Sequence, residues 1–307
     1  MDLNTLAAVA GGGAAALAAA YAALIEQFSI RVKHFHLQFG NLPPAFDGTV
    51  ILHLSDLHLT KLGLLEHRLT QLVSTRPVDM CFVTGDITQD PCAGAVFRRI
   101  RSVIRGPETV YGVLGNSEHK PWLTTTELVE ALSFEGVRLL TNESDVIRRG
   151  NDSIRVIGVD DAYSRCADLD AAFRGVDPTE FIIFLTHCPS VAPQAVERGA
   201  DLILAGHTHG GQVRLPLLGP LWAHMHSNKN LNDGLYLPDH LCRLLSDTVG
   251  AGVRQGVSRV DRSPRAKSTE CGSVLYVNRG VGTSKLHIRF LCPPEIAYIT
   301  LHRSLET

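Results

Sequence analysis

The chain lacks an excess of positive charge, paired cysteines and internal repeats. Its 307 residues include 29 lysines and arginines against 31 aspartates and glutamates, a formal net charge of -2. Nucleic-acid-binding domains are normally clearly basic, so this balance argues against a nucleic-acid partner. The seven cysteines are scattered and odd in number, and no Cys-x-x-Cys pair occurs. We therefore expect reduced thiols in a cytosolic setting, and neither a disulfide framework nor a zinc–thiolate site.

The N-terminus is poor in charge and in large apolar side chains. From Leu6 to Ile25 no residue is charged, but most are Ala or Gly. A membrane span needs about 20 apolar residues, so the length is just adequate and the hydrophobicity marginal. No Lys or Arg precedes the run and twin arginines are absent, which argues against a secretory signal. Residues 1–28 are predicted to be a single N-terminal anchor, which is slightly favoured, or an Ala-rich helix that is membrane-associated or docked.

Basic residues after this run predict its orientation. Arg31 and Lys33 follow it directly, and positive charge beside a membrane segment favours the cytoplasmic side. We therefore expect the rest of the chain at the cytoplasmic face of the inner membrane, held peripherally or by the single anchor.

Beyond a predicted linker at residues 29–48, short apolar runs alternate with amphipathic patterns. The predicted strands are Thr49 to Leu54, Met80 to Val83, Val110 to Leu114, Ile154 to Val159, Phe181 to Leu185, Ala200 to Ala205, Ser273 to Val277 and Glu295 to Leu301. The predicted helices are Leu62 to Ser74, Ala93 to Ile104, Thr125 to Leu132 and Ala192 to Arg198. This alternation is typical of an α/β domain that binds its ligands at the carboxyl ends of its strands.

One stretch departs from the alternation. Residues 223–272 are largely polar with no sustained apolar period, and the segment from Arg254 to Lys267 is basic. We expect a loop insertion in a domain that spans residues 49–307. The favoured interpretation is an irregular surface excursion. The alternative is a mobile cap whose arginines contact an anionic substrate or a lipid headgroup.

Seven side chains that can bind metals follow the predicted strands. They are Asp56, His58, Asp86, Asn116, His187, His207 and His209. Each has an ordinary explanation by itself, such as a helix cap, a turn or a packed imidazole. Seven such residues at strand ends indicate one shared cause, and their carboxylate, imidazole and amide groups suit borderline divalent metals. Two sites sharing a carboxylate would hold ions about 3.5–4 Å apart, the spacing used for phosphoryl transfer.

The order of these motifs resembles the calcineurin-like metallophosphoesterases. The matching motifs are Asp56-x-His58, Gly85-Asp86, Gly115-Asn116, His187 and Gly206-His207-x-His209. The resemblance implies a four-layer α/β/β/α sandwich and two divalent metal ions, with Mn favoured and Zn, Fe or Mg as alternatives. It also implies a role for each ligand: Asp56, His58 and His209 on one ion, Asn116, His187 and His207 on the other, and Asp86 bridging both.

Two later blocks narrow the resemblance. Gly206 to Pro216 and Arg279 to Glu295 are similar to bacterial membrane-associated phosphodiesterases, a subgroup that includes UDP-2,3-diacylglucosamine pyrophosphatases of lipid A synthesis. The expected substrate is a phosphate-containing small molecule or a glycolipid precursor, with UDP-2,3-diacylglucosamine favoured. A broad-specificity phosphodiesterase or phosphatase and a non-catalytic metal-binding scaffold are the alternatives. Arg279 is predicted to contact the phosphate, and a purely structural role is its equal alternative.

One motif position departs from the family pattern. The family usually has Gly-Asn-His-Asp/Glu, whose histidine contacts the phosphate and can protonate the leaving oxygen, whereas this chain has Gly115-Asn116-Ser117-Glu118-His119. We predict catalytic roles for Asp86 and Asn116. His119 is a hypothetical substitute acid, and a surface histidine is the alternative. A missing acid is best tolerated when the leaving group is a phosphate, whose second pKa is about 6, so the serine favours a pyrophosphate substrate.

Overall fold

The computed structural model describes residues 2–90, 94–121, 130, 132, 136–221, 231–239, 241 and 272–304. The helices within these ranges are α1 (Leu3–Leu24), α2 (Leu64–Val73), α3 (Gly94–Arg101), α4 (Leu169–Ala172) and α5 (Ala192–Glu197). The strands are β1 (Arg31–Phe39), β2 (Val50–Leu54), β3 (Met80–Thr84), β4 (Val110–Val113), β5 (Val137–Leu139), β6 (Glu143–Arg149), β7 (Asp152–Gly158), β8 (Ile182–Leu185), β9 (Leu202–Ala205), β10 (Arg214–Leu215), β11 (Gly219–Pro220), β12 (Gly234–Tyr236), β13 (Val274–Val277) and β14 (Glu295–Arg303).

Two six-stranded sheets form the centre of the fold. The first has the order β1-β14-β2-β3-β4-β5, and its strands are parallel except where β14 meets β2. The second has the order β12-β13-β9-β8-β7-β6, with a parallel centre and an antiparallel pair at each edge. Because parallel strands end on the same side of a sheet, the loops after β2, β3 and β4, and those after β7, β8 and β9, can build one site.

Alternation along the buried strands produces four layers. In β8, Ile183 and Leu185 pack between the two sheets, whereas Ile182 and Phe184 face outward with Ala192 of α5. On the outer face of the first sheet, buried residues of α2 and α3 cover β2 and β3 in the same way. Period-two alternation with both faces apolar is what a doubly covered sheet requires. The predicted α/β class and its α/β/β/α sandwich are confirmed.

Residues 29–48, predicted as a linker, instead contain β1. This strand pairs with β14 in parallel register, from Arg31 opposite Glu295 to Phe39 opposite Arg303. The linker prediction was wrong for residues 31–39. The strand lies at the edge of its sheet and is mostly exposed, so its few apolar residues alternate with charged and imidazole side chains. An edge strand of this kind lacks the continuous apolar run of a buried strand.

Two predictions fall partly or wholly outside the described residues. The predicted helix Thr125 to Leu132 lies almost entirely outside them, as does most of the predicted insertion at 223–272. Within the described part of that insertion, β12 pairs antiparallel with β13, from Gly234 opposite Val277 to Tyr236 opposite Leu275. This segment therefore contributes an edge strand to the second sheet.

The uncharged N-terminal run forms α1, whose end is held by the loop that precedes β14. The Arg289 amide donates to the Ala22 carbonyl at 3.2 Å. The buried Glu26 carboxylate accepts from the amides of Leu291 at 2.9 Å and Cys292 at 2.6 Å. Within the described ranges, no helix combines the length and the hydropathy that a membrane crossing requires. The choice between an anchor and a docked helix stays a prediction.

Candidate metal centre

Five of the seven predicted ligands have an unusual backbone conformation. The φ angles are 47° for Asp56, 47° for His58, 48° for Asp86, 71° for His207 and 50° for His209. Positive φ is uncommon in residues other than glycine, and each instance costs about 1–3 kcal/mol. Such strain concentrates at functional sites, where the surrounding structure holds side chains in set directions. At these strand ends, the backbone conformation therefore costs folding stability and sets the directions of the predicted ligand side chains.

The first ligand group consists of Asp56, His58, Asp86 and His209. One ligand atom from each of the four lies within 4.8 Å of the others, and all four residues are buried. The Nε2 atoms of His58 and His209 are 3.1 Å apart, and His58 Nε2 is 3.4 Å from Asp86 Oδ2. His209 Nε2 is also 3.4 Å from Asp56 Oδ1. Two imidazoles and two carboxylates around one point are donors that a borderline divalent cation accepts.

The second ligand group lies on the other side of the same carboxylate. His187 Nε2 is 3.5 Å from Asp86 Oδ1, 3.2 Å from Asn116 Oδ1 and 3.1 Å from His207 Nδ1. Asp86 thus directs Oδ2 toward the first group and Oδ1 toward the second. The structure brings all seven predicted ligands together, and it places Asp86 between the two groups.

Backbone and side-chain contacts orient these ligands. The His187 Nδ1–H donates to the Thr84 carbonyl at 2.9 Å, which leaves Nε2 directed toward the ligand group. Asp56 accepts from Ser55 Oγ at 2.6 Å and from the His207 amide at 3.0 Å. Partners of this kind set the ring orientation and tautomer of metal ligands. The ligand groups are therefore organised by the chain itself.

Gly206, which precedes the paired histidines, leaves space for the side chain of the predicted metal ligand Asp56. A Cβ atom built on Gly206 would lie less than 3.0 Å from both Ser55 Oγ and Asp56 Oδ2. No side chain fits there without displacing Asp56. This close approach is the physical reason for glycine at the end of β9.

Burial and opposing charges set the protonation of the ligand groups. Desolvation raises the pKa of Asp56 to about 6. Burial also acts to raise the pKa of Asp86, but the adjacent His187 and His58 outweigh it and hold that pKa at about 2. Burial lowers the pKa of His58 to about 4, whereas at His187 the two carboxylates outweigh burial and raise the pKa to about 9. The most persistent negative charge is therefore on Asp86, the shared carboxylate.

Glu118, for which no role was predicted from the sequence, organises the turn after β4. Its buried carboxylate accepts from the amides of Gly115 at 2.7 Å, Asp86 at 3.0 Å and Thr88 at 3.1 Å. Burial, followed by the charge of Asp86, raises its pKa to about 8, against the effect of the amide donors. The motif position directly after Ser117 was the signal for this residue. Glu118 connects the loops after β3 and β4.

Ser117 and His119 lie in different surroundings from each other. Ser117 is fully buried, its amide donates to Asp86 Oδ1 at 2.7 Å, and its hydroxyl has no hydrogen-bond partner among the described residues. His119 is partly exposed, and its Nε2 lies 2.6 Å from Asp160 Oδ1. Its role as a substitute acid stays a prediction, and this contact directs the Nε2 edge of the ring toward Asp160.

A cavity of about 380 Å³ lies at the ligand groups. It is lined by Asp86, Gln89, Asn116, Lys120, Tyr163, His207, His209, Ser284 and Lys285. The two lysines bring positive charge to the cavity wall, which favours an anionic ligand there. Neither lysine was predicted from the sequence, because no motif or periodicity distinguishes a lysine that lines a cavity from one on the surface.

Arg279 lies in an ion pair outside the residues that line this cavity. Its Nε and Nη2 donate to Asp233 Oδ2 at 2.9 and 2.7 Å, and Nε is 3.9 Å from Glu295. These contacts favour the structural alternative over the predicted phosphate contact. The phosphate contact of Arg279 stays a prediction.

An apolar groove adjoins the cavity. It has a volume of about 390 Å³ and is lined by Gly211, Gln212, Val213, Leu221, Ser284, Lys285, Leu286 and Ile288. Ser284 and Lys285 line both spaces, so the groove begins where the cavity ends. We call this feature the apolar groove.

Known proteins similar to this chain include metallophosphoesterases, which agrees with the metal-ligand groups described above. The family model for calcineurin-like phosphoesterases matches residues 49–211, slightly more than half of the chain. The chain is 27% identical over 300 residues to the uncharacterized metallophosphoesterase YkuE of Bacillus subtilis, covering 95% of this chain and 91% of that protein. The matched family region ends just after the paired histidines of the second sheet.

Two further relatives have names that describe an activity. The UDP-2,3-diacylglucosamine pyrophosphatase LpxG of Chlamydia trachomatis is 30% identical over 176 residues, which cover 57% of this chain and 45% of that protein. The phosphodiesterase YaeI of Escherichia coli is 27% identical over 179 residues, which cover 56% of this chain and 65% of that protein. Each similarity therefore extends over only part of both chains.

Proposed function

Since the chain belongs to the calcineurin-like phosphoesterase family of metal-dependent hydrolases, we propose that it hydrolyses a phosphodiester or pyrophosphate bond at the metal centre described above. The observation that carries this proposal is the placement of Asp86, whose two oxygens lie 3.4 Å from His58 and 3.5 Å from His187. A single ionised carboxylate between two imidazole-rich groups is what a dinuclear centre needs. The proposal disfavours a non-catalytic scaffold, because the family is enzymatic and no predicted ligand is missing.

The donor set fits two divalent cations. Asp56, His58 and His209 would hold one ion, Asn116, His187 and His207 the other, and Asp86 both. Carboxylate, imidazole and amide donors suit Mn, Zn and Fe better than Mg, and we propose Mn. When bound, two such ions supply Lewis acidity toward a phosphate and toward water.

The residues of the cavity would bind and orient the substrate. Lys120 and Lys285 line its wall, where they can offset the negative charge that develops on a phosphate in the transition state. Ser117 holds Asp86 through its amide and has a hydroxyl in place of an imidazole. No imidazole therefore stands at this position to protonate a basic leaving oxygen. We propose a pyrophosphate bond as the substrate, because a phosphate leaving group departs without a proton.

The apolar groove supports an acylated substrate. Its volume lies within the range of about 300–1,000 Å³ that small-molecule sites occupy. A substrate with its pyrophosphate in the cavity could pass Ser284 and Lys285 and place an acyl chain against Leu221 and Ile288. Together with the partial similarity to LpxG, this arrangement favours UDP-2,3-diacylglucosamine, an intermediate of lipid A synthesis, as the proposed substrate.

Exposed leucines support a membrane surface as the place of action. Leu17 and Leu24 on α1 are largely exposed, as are Leu217 and Leu218 in the turn between β10 and β11. The end of α1 and the strand β10 that leads into this turn both contact residues 289–292. Apolar side chains presented to solvent in this way are typical of interaction with a membrane or a partner. We propose peripheral or singly anchored attachment at the cytoplasmic face of the inner membrane.

The test is a phosphorus-resolved product analysis of the full chain with UDP-2,3-diacylglucosamine and Mn. We expect UMP and an acylated sugar phosphate from the native protein, and neither product from Asp86→Asn. Turnover of a generic aryl phosphodiester without UMP release would retain the dinuclear centre and refute the nucleotide substrate. Hydrolysis of neither compound by a folded, metal-loaded protein would refute the phosphoesterase proposal for this centre.

A groove variant separates the acylated substrate from the chemistry. Leu221→Arg introduces charge into the apolar groove without touching a predicted metal ligand, because the exposed Leu221 lies beyond the shared residues. We expect at least a tenfold loss of kcat/KM for the acylated nucleotide and little change for the aryl diester, which lacks a chain. Equal losses on both substrates would count against an acyl site in the groove. Leu237→Arg, another exposed leucine that lines neither space, is the matched control.

A further inference from the structure

Three metal-binding side chains meet outside the candidate metal centre. His119 follows β4, whereas Asp160 and Cys166 belong to the loop after β7. His119 Nε2 is 2.6 Å from Asp160 Oδ1, and one ligand atom from each of the three residues lies within 4.8 Å of the others. We call these three residues the peripheral cluster. None of them lines the cavity at the two ligand groups, and none belongs to either ligand group.

We propose that the peripheral cluster binds a third divalent cation of the zinc class. It offers one nitrogen, one oxygen and one sulfur donor, and this mixture suits Zn²⁺ or Co²⁺ and not Mg²⁺ or Ca²⁺. The His119 and Asp160 side chains are 20% and 10% exposed, and Cys166 is exposed. Three protein ligands with one open side match the coordination of a zinc ion that keeps a water in the fourth position.

One side chain holds the loop in the arrangement that the cation needs. Asn142 Oδ1 accepts from the amides of Asp160 at 3.0 Å and Asp168 at 2.9 Å. Its Nδ2 donates to the Cys166 carbonyl at 2.9 Å, and the Cys166 amide donates to the Asp161 carbonyl at 3.0 Å. The backbone positions of two of the three ligands are therefore set before any cation arrives. Prior organisation of this kind lowers the cost of assembling a metal site.

The thiol of Cys166 keeps its proton in the absence of a cation. Partial burial, followed by the charges of Asp160 and Asp161, raises the pKa of Cys166 above its ordinary value. A protonated thiol is a poor nucleophile. A cation bound between the three groups would displace that proton to solvent and leave a thiolate. The proton that His119 Nε2 shares with Asp160 would move to Nδ1 of the same ring, so that Nε2 contributes its lone pair.

A bound cation would connect the two sheets at one wall of the catalytic cavity. Lys120, next to His119, and Tyr163, between Asp160 and Cys166, both line that cavity. The Tyr163 ring lies 5.0 Å from the ring of His207, a predicted ligand of the dinuclear centre. The cation would therefore hold the segment after β4 against the loop after β7. Its loss should raise KM for a phosphate substrate more than it lowers kcat.

A cobalt titration of the full chain tests the proposal. Co²⁺ bound to a thiolate gives a sulfur-to-metal charge-transfer absorption, and no cysteine is part of the first ligand group. Once all sites are filled, we expect an absorption that corresponds to one thiolate-bound Co²⁺ in the native protein. It should vanish in Cys166→Ser and need at least tenfold more Co²⁺ in His119→Gln. Ser164→Ala, in the same loop and without a ligand atom in the cluster, should retain it.

A second measurement separates this site from the dinuclear centre. Total bound metal should fall from three equivalents to two in Cys166→Ser, whereas Asp86→Asn should lose the other two and keep the thiolate absorption. Near-ultraviolet circular dichroism shows whether each variant is folded. A native protein that binds two equivalents of Co²⁺ without the absorption would overturn the proposal. So would an absorption that persists unchanged in Cys166→Ser.

Discussion

Adding a single methyl group at Gly206 should displace a metal ligand. The Cβ atom of Gly206→Ala would lie less than 3.0 Å from Ser55 Oγ and from Asp56 Oδ2. Ser55 cannot move away easily, since it is buried and its Oγ also contacts Thr84 Oγ at 2.8 Å and the Thr84 carbonyl at 3.1 Å. The Ser55 hydroxyl can yield only by breaking these contacts, and the Asp56 carboxylate, which also overlaps the new Cβ atom, has to move as well. Its hydrogen bonds from the His207 amide at 3.0 and 3.1 Å would be lost with it.

The size of the effect follows from overpacking and misplacement. Forcing an extra carbon into a well-packed interior costs about 1–3 kcal/mol of unfolding free energy. Misplacing a reacting group by roughly 1 Å costs on the order of 10²-fold in rate. We therefore expect Gly206→Ala to unfold at lower urea concentration, to bind less Mn, and to lose about 10²-fold in kcat/KM on an aryl phosphodiester.

The assay combines urea unfolding, metal analysis and initial rates. Gly40→Ala is the matched control, since a Cβ there meets no heavy atom within 4 Å. The control should stay within about 0.5 kcal/mol of the native protein. Adding Ser55→Ala to Gly206→Ala should restore part of the stability and little of the metal binding, because the overlap with Asp56 remains. Native metal content and activity in Gly206→Ala would refute the close packing at this ligand.

Three further changes test other parts of the site. Asp86→Asn removes the carboxylate that serves both ligand groups. Mn at 100 times the native Kd should stabilise the native protein by about 2.7 kcal/mol and leave the melting temperature of the variant unchanged. Arg279→Gln should lower the urea midpoint, because Asp233 is left less well paired. The same variant should change KM for an aryl diester less than twofold. A KM rise above about tenfold would instead support the predicted phosphate contact. Lys285→Gln should raise KM for the aryl diester about tenfold, which is the value of a charge-assisted hydrogen bond. Lys61→Gln, at an exposed lysine, is the control and should leave this KM unchanged. Equal KM values in the two variants would exclude Lys285 from phosphate binding.

Most of the α/β core was predictable from local sequence. Buried parallel strands appear as continuous apolar runs, and β2, β3, β4, β8 and β9 begin within two residues of their predicted starts. Edge strands were less visible. β1 and β6 are edge strands, and their exposed polar residues interrupt the apolar pattern. Only pairing with distant partners stabilises them, and a local pattern does not report such pairing.

The ligand groups could be predicted because their chemistry is concentrated at strand ends. A polar residue that directly follows a buried parallel strand has few positions open to it, so a set of such residues indicates one shared edge. Lys120 and Lys285 lacked a local signal, and Glu118 had only its motif position after Ser117. Their roles depend on which loops approach one another, and loop conformation is set by contacts far apart in the chain.

By itself, the sequence determined the alternation of strands and helices, the seven ligand types and their order, because each depends on residues close together along the chain. Tertiary structure alone decided the ion pair of Arg279 with Asp233, the contact of His119 with Asp160, and the meeting of the apolar groove with the cavity. Each of these joins residues that are far apart in the chain. Their approach depends on how strands pair and how the two sheets and their loops pack, a global balance of buried area against chain entropy that no local pattern encodes.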